Sequence, residues 1–415
     1  MSNSNCSSVG IVGAGIQGVC IGLQLIKKNI PTTIFDSEDP GCMASYGNAG
    51  HFSPYAVLQL NRPDILYDVP KMLLSSYGPL ALKWNYIPKM IPWIMHYLKS
   101  CNKKSMMHTA KYMHQILNNS LDAYEEIFED IDITNLVERK GIIYVWTNKN
   151  LKSRNLEIKV RQDLGVKQKI LSVKEILQLE PNLKPVFSGG IYFDYAIHAR
   201  DPHEILKKIF KLFIDKGGKF CKERVNSVKQ IDQKQTLIKT DFNEHKFEKS
   251  VIACGAFSKK LTDQLGENIP LDTERGYHVH FKGKDKLLRR PVIFLDRGFG
   301  MTPMNQGLRA VGTVEFGGLQ NPISKKRIQY IVNCAKELLP ELGSHDDEWL
   351  GFRPTLPDFL PIIGPSKKNE NIIYAFGHQH LGWTLGAVTG KIVSGILSNE
   401  KTNLDLSAYS SSRFD

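Results

Sequence analysis

Three glycines near the start of the chain have the spacing of a phosphate-binding turn. Gly13, Gly15 and Gly18 directly follow the apolar segment 9–12. In a strand–turn–helix unit the first glycine allows the tight turn, the second admits a pyrophosphate, and the third lets the helix pack on the strand. The helix N-terminus would then offer free N–H groups and the positive end of its dipole to the phosphates.

A second predicted strand supports this interpretation. It covers residues 32–35 and ends at Asp36, about 20 residues after the glycines, where an acid holds a ribose hydroxyl in dinucleotide-binding folds. A glycine motif alone is weak evidence, but here the strand, helix, second strand and acid occur in the expected order. The sequence therefore predicts a dinucleotide site, and the alternative is a glycine-rich turn without a ligand.

A second stretch of small residues follows at 41–51. Ser45 and Asn48 give it short hydrogen-bonding side chains. A nicotinamide enzyme does not need another glycine-rich loop so soon after the first βαβ unit. A flavin enzyme does, because FAD continues past the pyrophosphate into a ribityl chain and a ring. The pattern favours FAD over NAD.

The composition is that of an ordinary globular protein. The chain has 415 residues, of which 42% are hydrophobic and 23% charged, and this length allows two domains. The formal net charge is +12, mostly from lysines spread along the chain. A solvated surface is the first interpretation of this charge, and contact with an acidic membrane surface is the second. No basic motif with interleaved aromatic residues points to nucleic acid.

The seven cysteines are scattered and contain no CxxC pair. This suits a reducing compartment and argues against a zinc site or a disulfide framework, so we expect no metal. The sequence has no uninterrupted run of about 18 apolar residues, the length that would predict a membrane span. The sequence therefore predicts a cytoplasmic protein and leaves open a peripheral contact with the inner face of the membrane.

The segment 64–131 has a helical pattern. Apolar side chains recur there at helical spacing, at Trp84, Ile87, Ile91, Ile94 and Leu98. The first interpretation is a stripe that faces the core. The alternative is a basic helix that rests on a membrane interface through Trp84 and Trp93.

The rest of the chain predicts a mixed fold class, α/β plus α+β. The apolar strand within 247–254 again ends in small residues, which indicates that a Rossmann-like domain is interrupted and then resumed. Residues 271–318 have the pattern of strands with short turns, typical of a mixed or antiparallel β-sheet in a substrate domain. We expect an FAD-binding domain from 1–60, 185–265 and 345–400, a substrate-binding domain from 61–184 and 266–344, and a frayed tail from 401–415.

Four separated motifs resemble one family, the FAD-dependent D-amino-acid oxidase superfamily, and most closely its D-amino-acid dehydrogenase (small-subunit-like) branch. The motifs span nearly the whole chain in family order, which makes their combination highly specific. They are GAGIQG at 13–18 with Asp36, ASYGNAG at 44–50, VIACGAFS at 251–258, and GFRPTLPDFLPIIG at 351–364 with GHQHLGWT at 377–384.

The resemblance implies how FAD is held. The glycine turn would lie along the pyrophosphate, Asp36 would bind the adenosine ribose, the backbone of Val225 would meet the adenine, and the segment 378–384 would contact the flavin ring. No cysteine lies in a covalent-flavin motif, so non-covalent FAD is expected. The implied cofactor-binding positions are Gly13, Ala14, Gly15, Ile16, Gln17, Gly18, Asp36, Ser37, Ala44, Ser45, Asn48, Ala49, Gly50, Val225, Ala253, Gly255, Gly377, His378, His380, Leu381, Gly382, Trp383 and Thr384.

The resemblance also implies the substrate contacts. Arg353 matches the arginine that grips the substrate carboxylate in glycine oxidase, and its planar fork suits two oxygens. The alternative for Arg353 is a structural ion pair. Tyr277 follows a glycine and could bound the substrate pocket, or it could be a core tyrosine.

Several histidines are candidates for keeping the substrate amine neutral, because histidine titrates near neutral pH. They are His51, His278, His378 and His380. The alternative for each is an ordinary hydrogen-bonded role in a loop. Hydride transfer from a neutral amine requires no base, so none of them has to be essential.

The implied reaction is oxidative deamination of a D-amino acid or of a cyclic imino acid such as D-proline or hydroxyproline. Hydride would leave the α-carbon for the flavin, and water would hydrolyse the resulting imine. The electrons would pass to a quinone or another acceptor. The alternatives are an oxygen-dependent oxidase of glycine or sarcosine, a flavin-binding protein without catalysis, and, more weakly, an NAD-dependent dehydrogenase.

Overall fold

The structure is a computed structural model, and it describes residues 7–66, 69, 78–147 and 152–415. Within these residues the strands are β1 (Val9–Val12), β2 (Thr32–Phe35), β3 (His51–Phe52), β4 (Leu80–Leu82), β5 (Val137–Glu138), β6 (Ile142–Trp146), β7 (Lys169–Leu171), β8 (Gly189–Phe193), β9 (Ile197–Ala199), β10 (Lys219–Cys221), β11 (Val225–Gln230), β12 (Thr236–Thr240), β13 (Glu244–Phe247), β14 (Lys249–Ile252), β15 (Asp272–Lys282), β16 (Val292–Phe294), β17 (Phe299–Met304), β18 (Gly307–Phe316), β19 (Glu348–Thr355), β20 (Ile362–Pro365) and β21 (Ile372–Phe376).

The α-helices of the described residues connect or cover these strands. They are α1 (Ile16–Lys27), α2 (Ile87–Ser100), α3 (Lys103–Leu117), α4 (Ser120–Phe128), α5 (Lys152–Asp163), α6 (Val173–Leu179), α7 (Pro202–Asp215), α8 (Ser258–Gln264), α9 (Lys325–Leu338) and α10 (Gly382–Leu397).

A six-stranded sheet forms the Rossmann-like part of the fold, in the order β10-β2-β1-β14-β21-β20. Five of its strands run parallel and β20 is antiparallel to β21. Every residue of β1 and β21 is buried, as expected of central parallel strands covered on both faces. Helix α1 packs against α10 and α7 on one side of this sheet. The predicted interruption of the nucleotide-binding fold is confirmed, because β14 and β21 return to lie beside β1.

A nine-stranded mixed sheet forms the second part. Its main path runs β19-β15-β18-β17-β16-β6-β8-β7, and β4 pairs with β18. The pairings β15–β18 and β15–β19 are antiparallel, whereas β16–β6 is parallel. The sheet includes β8 and β19, which the predicted boundaries assign to the FAD-binding part. The boundaries between the two domains themselves stay a prediction.

The predicted core-facing stripe at 84–98 is wrong. Trp84 is 75% exposed, and Ile91 and Leu98 are 50% and 52% exposed. The buried apolar side chains of α2 are instead Met90 and Trp93, and the Trp93 indole donates to the Thr355 carbonyl at 3.1 Å. Helical spacing correctly identified an amphipathic helix but could not tell which apolar face meets the protein.

The predicted helical segment 64–131 also needs correction. Residues 80–82 form strand β4, and α2 begins only at Ile87. The part of the prediction at 67–77, apart from residue 69, lies outside the described residues. Among the residues that the structure describes, no helix combines the length and the apolar character needed to cross a membrane.

The C-terminal tail packs against the fold, in contrast to the frayed end that we expected. Tyr409 is fully buried and its hydroxyl donates to the carbonyl of Tyr112 at 2.5 Å. Arg413 donates to the Asp358 carboxylate through Nε at 2.6 Å. The polar composition of the tail concealed these anchors, each of which depends on a partner far away in sequence.

Candidate functional site

A cavity of about 940 Å³ lies between the Rossmann-like sheet and the mixed sheet. Its wall comes from the turns that follow β1, β2 and β14, from the loop before α10, and from β15, β18 and β19. Predicted cofactor and substrate residues that line it are Gly13, Gly15, Ile16, Gln17, Asp36, Ser37, Ala44, Ser45, Asn48, Ala49, His51, Val225, Ala253, Gly255, Arg353, His378, His380, Gly382 and Trp383.

The glycine turn has the backbone that its sequence predicts. Gly13 has φ of +112°, and a Cβ there would lie 2.6 Å from the Ala253 carbonyl oxygen. A Cβ on Gly18 would lie 1.8 Å from the Gly13 carbonyl oxygen. On Gly15, by contrast, the nearest protein atom to a Cβ is Ser45 Oγ at 3.5 Å. Gly13 and Gly18 are therefore required by the protein itself, whereas Gly15 leaves space on the cavity side.

Asp36 follows β2, and two backbone N–H groups orient its carboxylate. Its Oδ2 accepts from the Ala14 N–H at 2.7 Å, and its Oδ1 accepts from the Glu38 N–H at 3.1 Å. Burial raises the pKa of this carboxyl, and the backbone hydrogen bonds oppose the rise. Val225 and Ser37 line the cavity beside Asp36. The position fits a ribose hydroxyl, which can donate to a carboxylate that is already fixed.

The loop at 44–50 is tied to the start of α1. Ser45 Oγ accepts from the Ile16 N–H at 3.0 Å, and Asn48 Nδ2 donates to the Ser45 carbonyl at 2.6 Å. Asn48 Oδ1 in turn accepts from the Gly50 N–H at 2.7 Å. These bonds keep small residues against the cavity and hold the loop in one shape. A phosphate or ribityl group can then approach the backbone closely.

The loop that precedes α10 forms another part of the wall. Gln17 Nε2 donates to the Gly382 carbonyl at 2.7 Å, which joins the starts of α1 and α10. Thr384 Oγ1 accepts from the Ser53 N–H at 3.0 Å and donates to the His51 carbonyl at 3.2 Å. Gly382 and Trp383, the first residues of α10, line the cavity, and a helix N-terminus at this place suits an electron-rich ring edge.

These residues fit FAD. One turn suits a pyrophosphate, one acid suits a ribose, and two further loops of small residues continue along the same cavity. The lining does not include the predicted positions Ala14, Gly18, Gly50, Gly377, Leu381 and Thr384, each of which is a chain neighbour of a lining residue. Their assignment as cofactor contacts stays a prediction.

Arg353 lies in the same cavity. Its Nη1 donates to the Thr313 carbonyl at 3.0 Å. It rests on Gly276, where a Cβ would lie 2.3 Å from Nη2. Burial lowers the pKa of the guanidinium, and the nearby carboxylate of Glu274 raises it. The group remains a cation, and its other donors are available to a carboxylate.

The sequence interpretation missed Glu274, which is paired with Arg353 across β15 and β19. Its side chain is buried and lines the cavity. Burial raises the pKa of Glu274, and Arg353 opposes the rise. The signal that could have found it is alternation along β15, because Glu274 shares a face with Gly276.

The structure does not bring Tyr277 to the cavity. It lies on the opposite face of β15, fully buried, and its hydroxyl donates to Glu315 Oε1 at 3.1 Å. Glu315 also pairs with Arg275 at 3.1 Å. This placement favours the core-tyrosine alternative.

Three of the four candidate histidines line the cavity. Burial lowers the pKa of His51 and His378, whereas His380 is exposed to the cavity, and desolvation by the surrounding wall together with the charge of Arg353 lowers its pKa. His51 and His378 have a pKa of about 3, and His380 has a pKa of about 4. His51 Nε2 lies 2.6 Å from Thr302 Oγ1, and His378 Nε2 lies 3.1 Å from Thr389 Oγ1. His278 does not line the cavity, and its ring stacks on Trp349 at 5.0 Å. The rings of His51 and His378 are therefore neutral near pH 7.

We expect no inflection near pH 6.5 in kcat/KM from these histidines, because their folded pKa values lie well below that. The free energy of unfolding should change with pH in the opposite direction to the change caused by a histidine that pairs with an acid. The unfolded rings take up protons below about pH 6.5 while the folded rings stay neutral, so the free energy of unfolding should fall as the pH drops from about 7 to 5. Urea unfolding of wild type and His378→Gln at several pH values measures this, with a shallower slope expected for the variant. A steep histidine-like step in kcat/KM would contradict the neutral assignment.

Glu274→Gln should lower KM for a carboxylate substrate several-fold, because the carboxylate of Glu274 partly offsets the charge of Arg353. Asp272→Asn, on the same strand and bonded by Tyr86 at 3.1 Å, is the matched control. Steady-state kinetics of both variants would measure the effect. A rise in KM for Glu274→Gln alone would show instead that this acid binds the substrate amine.

Comparison with known proteins agrees with this geometry. The family model described as "FAD dependent oxidoreductase" (DAO) matches residues 8–396. The chain is 32% identical over 414 residues to a D-amino-acid oxidase of Bradyrhizobium diazoefficiens, with 98% of each chain covered. It is 26% identical over 412 residues to a D-amino acid dehydrogenase of Vibrio atlanticus, covering 96% of this chain and 98% of that one.

The fold is also that of a solved relative. The crystal structure of glycine oxidase from Geobacillus kaustophilus superposes with a TM-score of 0.76 at 20% identity, covering 97% of each chain. The family match over most of the chain, together with a cavity that fits the dinucleotide, confirms the predicted resemblance. The chain belongs to the DAO family of FAD-dependent oxidoreductases.

Proposed function

We propose that the chain catalyses the oxidative deamination of a D-amino acid, or of a cyclic imino acid such as D-proline or hydroxyproline. The main support for the proposal is the position of Arg353, which lines the same cavity as the glycine turn and His380. A fixed cationic fork there favours a substrate with a carboxylate beside its amine. The two sequence relatives, a D-amino-acid oxidase and a D-amino acid dehydrogenase, support the D configuration.

The residues of the chain would act by binding and orientation. FAD, when bound, supplies the two-electron acceptor. Arg353 would hold the substrate carboxylate, and a ring nitrogen of His380 could accept a hydrogen bond from the amine. Part of the cavity wall is apolar, formed by Ile293, Phe299 and Leu319, and would keep water away from the reacting C–H bond.

The substrate test is a panel of D- and L-amino acids, D-proline, glycine and sarcosine, assayed with a dye acceptor and separately with oxygen. We expect turnover of D-amino or cyclic imino acids with the dye, and little peroxide in the assay with oxygen. Peroxide formed at the rate of substrate loss, with glycine or sarcosine preferred, would support the oxidase alternative. No turnover with any amine would contradict the proposal.

We further propose that the electrons pass to a membrane quinone, and that the surface around α2 contacts the lipid. Trp84, Ile91, Met95 and Leu98 present apolar side chains to solvent, with exposed fractions of 75%, 50%, 56% and 52%. Exposed lysines flank them at 89, 99, 103 and 104. Apolar side chains bordered by lysines are typical of a helix that lies on an anionic bilayer surface.

This surface lies next to the substrate end of the cavity. Trp93 of α2 donates to the carbonyl of Thr355, two residues beyond Arg353. Tyr97 of the same helix donates to the Leu60 carbonyl at 2.9 Å, and Leu60 lines the cavity. A quinone that left the bilayer at this helix would therefore have a short path to the flavin site.

Co-sedimentation with vesicles that contain anionic phospholipid tests this contact. Wild type should bind, with less binding at high salt, and Trp84→Ser combined with Leu98→Ser should reduce binding about tenfold or more. Phe242→Ser is the matched control, because Phe242 is 79% exposed in the β12–β13 turn. Equal binding by the double variant and wild type would contradict the assignment of this surface.

A further inference from the structure

We infer that Cys221, Glu223 and His245 form a binding site for a thiophilic divalent cation such as Zn²⁺. The thiol, one carboxylate oxygen and one imidazole nitrogen all lie within 4.8 Å of one another. The site is separate from the substrate pocket and adjoins the wall of the adenosine end of the cavity. It was not expected from the sequence, because its ligands belong to no CxxC pair.

The three ligands come from two parts of the fold. Cys221 ends β10, and the Glu223 N–H donates to the Cys221 carbonyl at 3.0 Å in the turn that follows. This turn places the thiol and the carboxylate on one side. His245 comes from β13, opposite Ile238 of β12. An ion at this place would join the β10–β11 turn to the β12–β13 hairpin.

The distances suit a small ion after minor side-chain rotation. His245 Nε2 and Glu223 Oε2 are 3.9 Å apart. Tetrahedral zinc, with bonds of about 2.0–2.3 Å, places its ligand atoms roughly 3–4 Å from each other. Thiolate and imidazole ligands favour zinc over magnesium or calcium.

His245 Nε2 provides a second observation. This nitrogen is buried and makes no hydrogen bond with any described residue. Such an atom normally has a partner, and its absence calls for an explanation. The ring is fixed by Phe35, whose centroid lies 4.9 Å away. A cation held with Cys221 and Glu223 would be the missing partner.

Neighbouring side chains orient the carboxylate as in established metal sites. The Thr240 hydroxyl donates to Glu223 Oε2, and Asn243 Nδ2 donates to Oε1 at 3.1 Å. Hydrogen bonds of this kind fix the direction of a ligand. All three ligand residues are half-buried. Water would complete the coordination from the solvent side, which makes the ion exchangeable.

The site is coupled to the cofactor wall. The Asp36 N–H donates to the Cys221 carbonyl at 3.2 Å, and Phe35 contacts His245. Both Phe35 and Asp36 line the cavity. A bound cation would cross-link the segments behind these two residues, so it should raise thermal stability by ligand linkage.

The test uses the purified flavoprotein, stripped with a chelator and dialysed against micromolar zinc chloride. We expect about one zinc per chain in wild type and a higher Tm with zinc. Cys221→Ser and His245→Gln should each weaken binding at least about tenfold and abolish the Tm shift. Cys42→Ser, which alters an exposed cysteine outside the site, should bind like wild type.

Wild-type protein gives an independent measurement should a variant fail to fold. Zinc should slow alkylation of Cys221 by N-ethylmaleimide and leave Cys42 unaffected, as followed by peptide mass spectrometry. Absence of zinc uptake by wild type, or equal uptake by the Cys221 and His245 variants, would overturn the inference. So would alkylation of Cys221 at the same rate with and without zinc.

Discussion

Arg353→Ala should lower kcat/KM for amino-acid substrates by roughly 10²- to 10³-fold, while the protein stays folded and yellow. The guanidinium lines the cavity, and its Nη1 donates to the carbonyl of Thr313. Truncating one partner of a buried, hydrogen-bonded charge pair costs about 2–5 kcal/mol. Most of the loss should be in KM, because the carboxylate is bound in the ground state as well as in the transition state.

An amine substrate without a carboxylate shows whether Arg353 acts through the carboxylate of the substrate. Arg353→Ala should handle such an amine as wild type does. Arg353→Lys should keep part of the activity, because a point charge replaces the planar fork. Arg139→Ala removes an exposed arginine that pairs with Glu125 and serves as the control. Equal losses for amino acids and simple amines would assign Arg353 a structural role.

Gly15→Ala should yield a folded protein that binds FAD roughly 10- to 100-fold more weakly, since overpacking costs about 1–3 kcal/mol. The added methyl group would meet Ser45 Oγ at an ordinary 3.5 Å, so the protein can accept it. It would project into the space that the pyrophosphate needs. Flavin content after gel filtration and a titration of the apoprotein with FAD measure the effect.

Substitutions at two other glycines serve as comparisons for Gly15→Ala. Gly18→Ala should destabilise the protein itself, because its methyl group would collide with the Gly13 carbonyl. Gly395→Ala, in α10, should leave both folding and FAD affinity unchanged, because among the described residues outside its own helix backbone the nearest atom to a Cβ is Glu400 Oε2 at 3.9 Å. Loss of folding in Gly15→Ala would mean that the protein, not the cofactor, requires this glycine.

The nucleotide-binding part could be predicted because its signals are local. Gly13, Gly18 and Asp36 act through backbone geometry within one βαβ unit, and the structure places them as expected. The substrate end was less accessible to sequence reasoning. Glu274 and Arg353 are far apart in the chain and meet only because β15 pairs with β19.

Two of the sequence predictions depended on a direction that the sequence does not give. Periodicity identifies a face but not the side on which the protein lies, so the exposed residues of α2 were assigned to the core. Likewise, the sequence placed Tyr277 beside a glycine without giving its direction, and β15 turns its side chain away from the cavity toward Glu315. The ligand set of Cys221 and His245 could not be found by spacing, because a hairpin brings His245 back to β10.

An anaerobic spectrum shows whether one cavity holds both FAD and an amino acid carboxylate. The purified yellow protein is mixed with D-amino acids, D-proline, glycine, sarcosine and L-amino acids without oxygen, and the flavin absorbance is followed. We expect bleaching by D-amino or cyclic imino acids in wild type and much slower bleaching in Arg353→Ala. A flavin that stays oxidised with every amine would contradict it and favour a flavin-binding protein without catalysis.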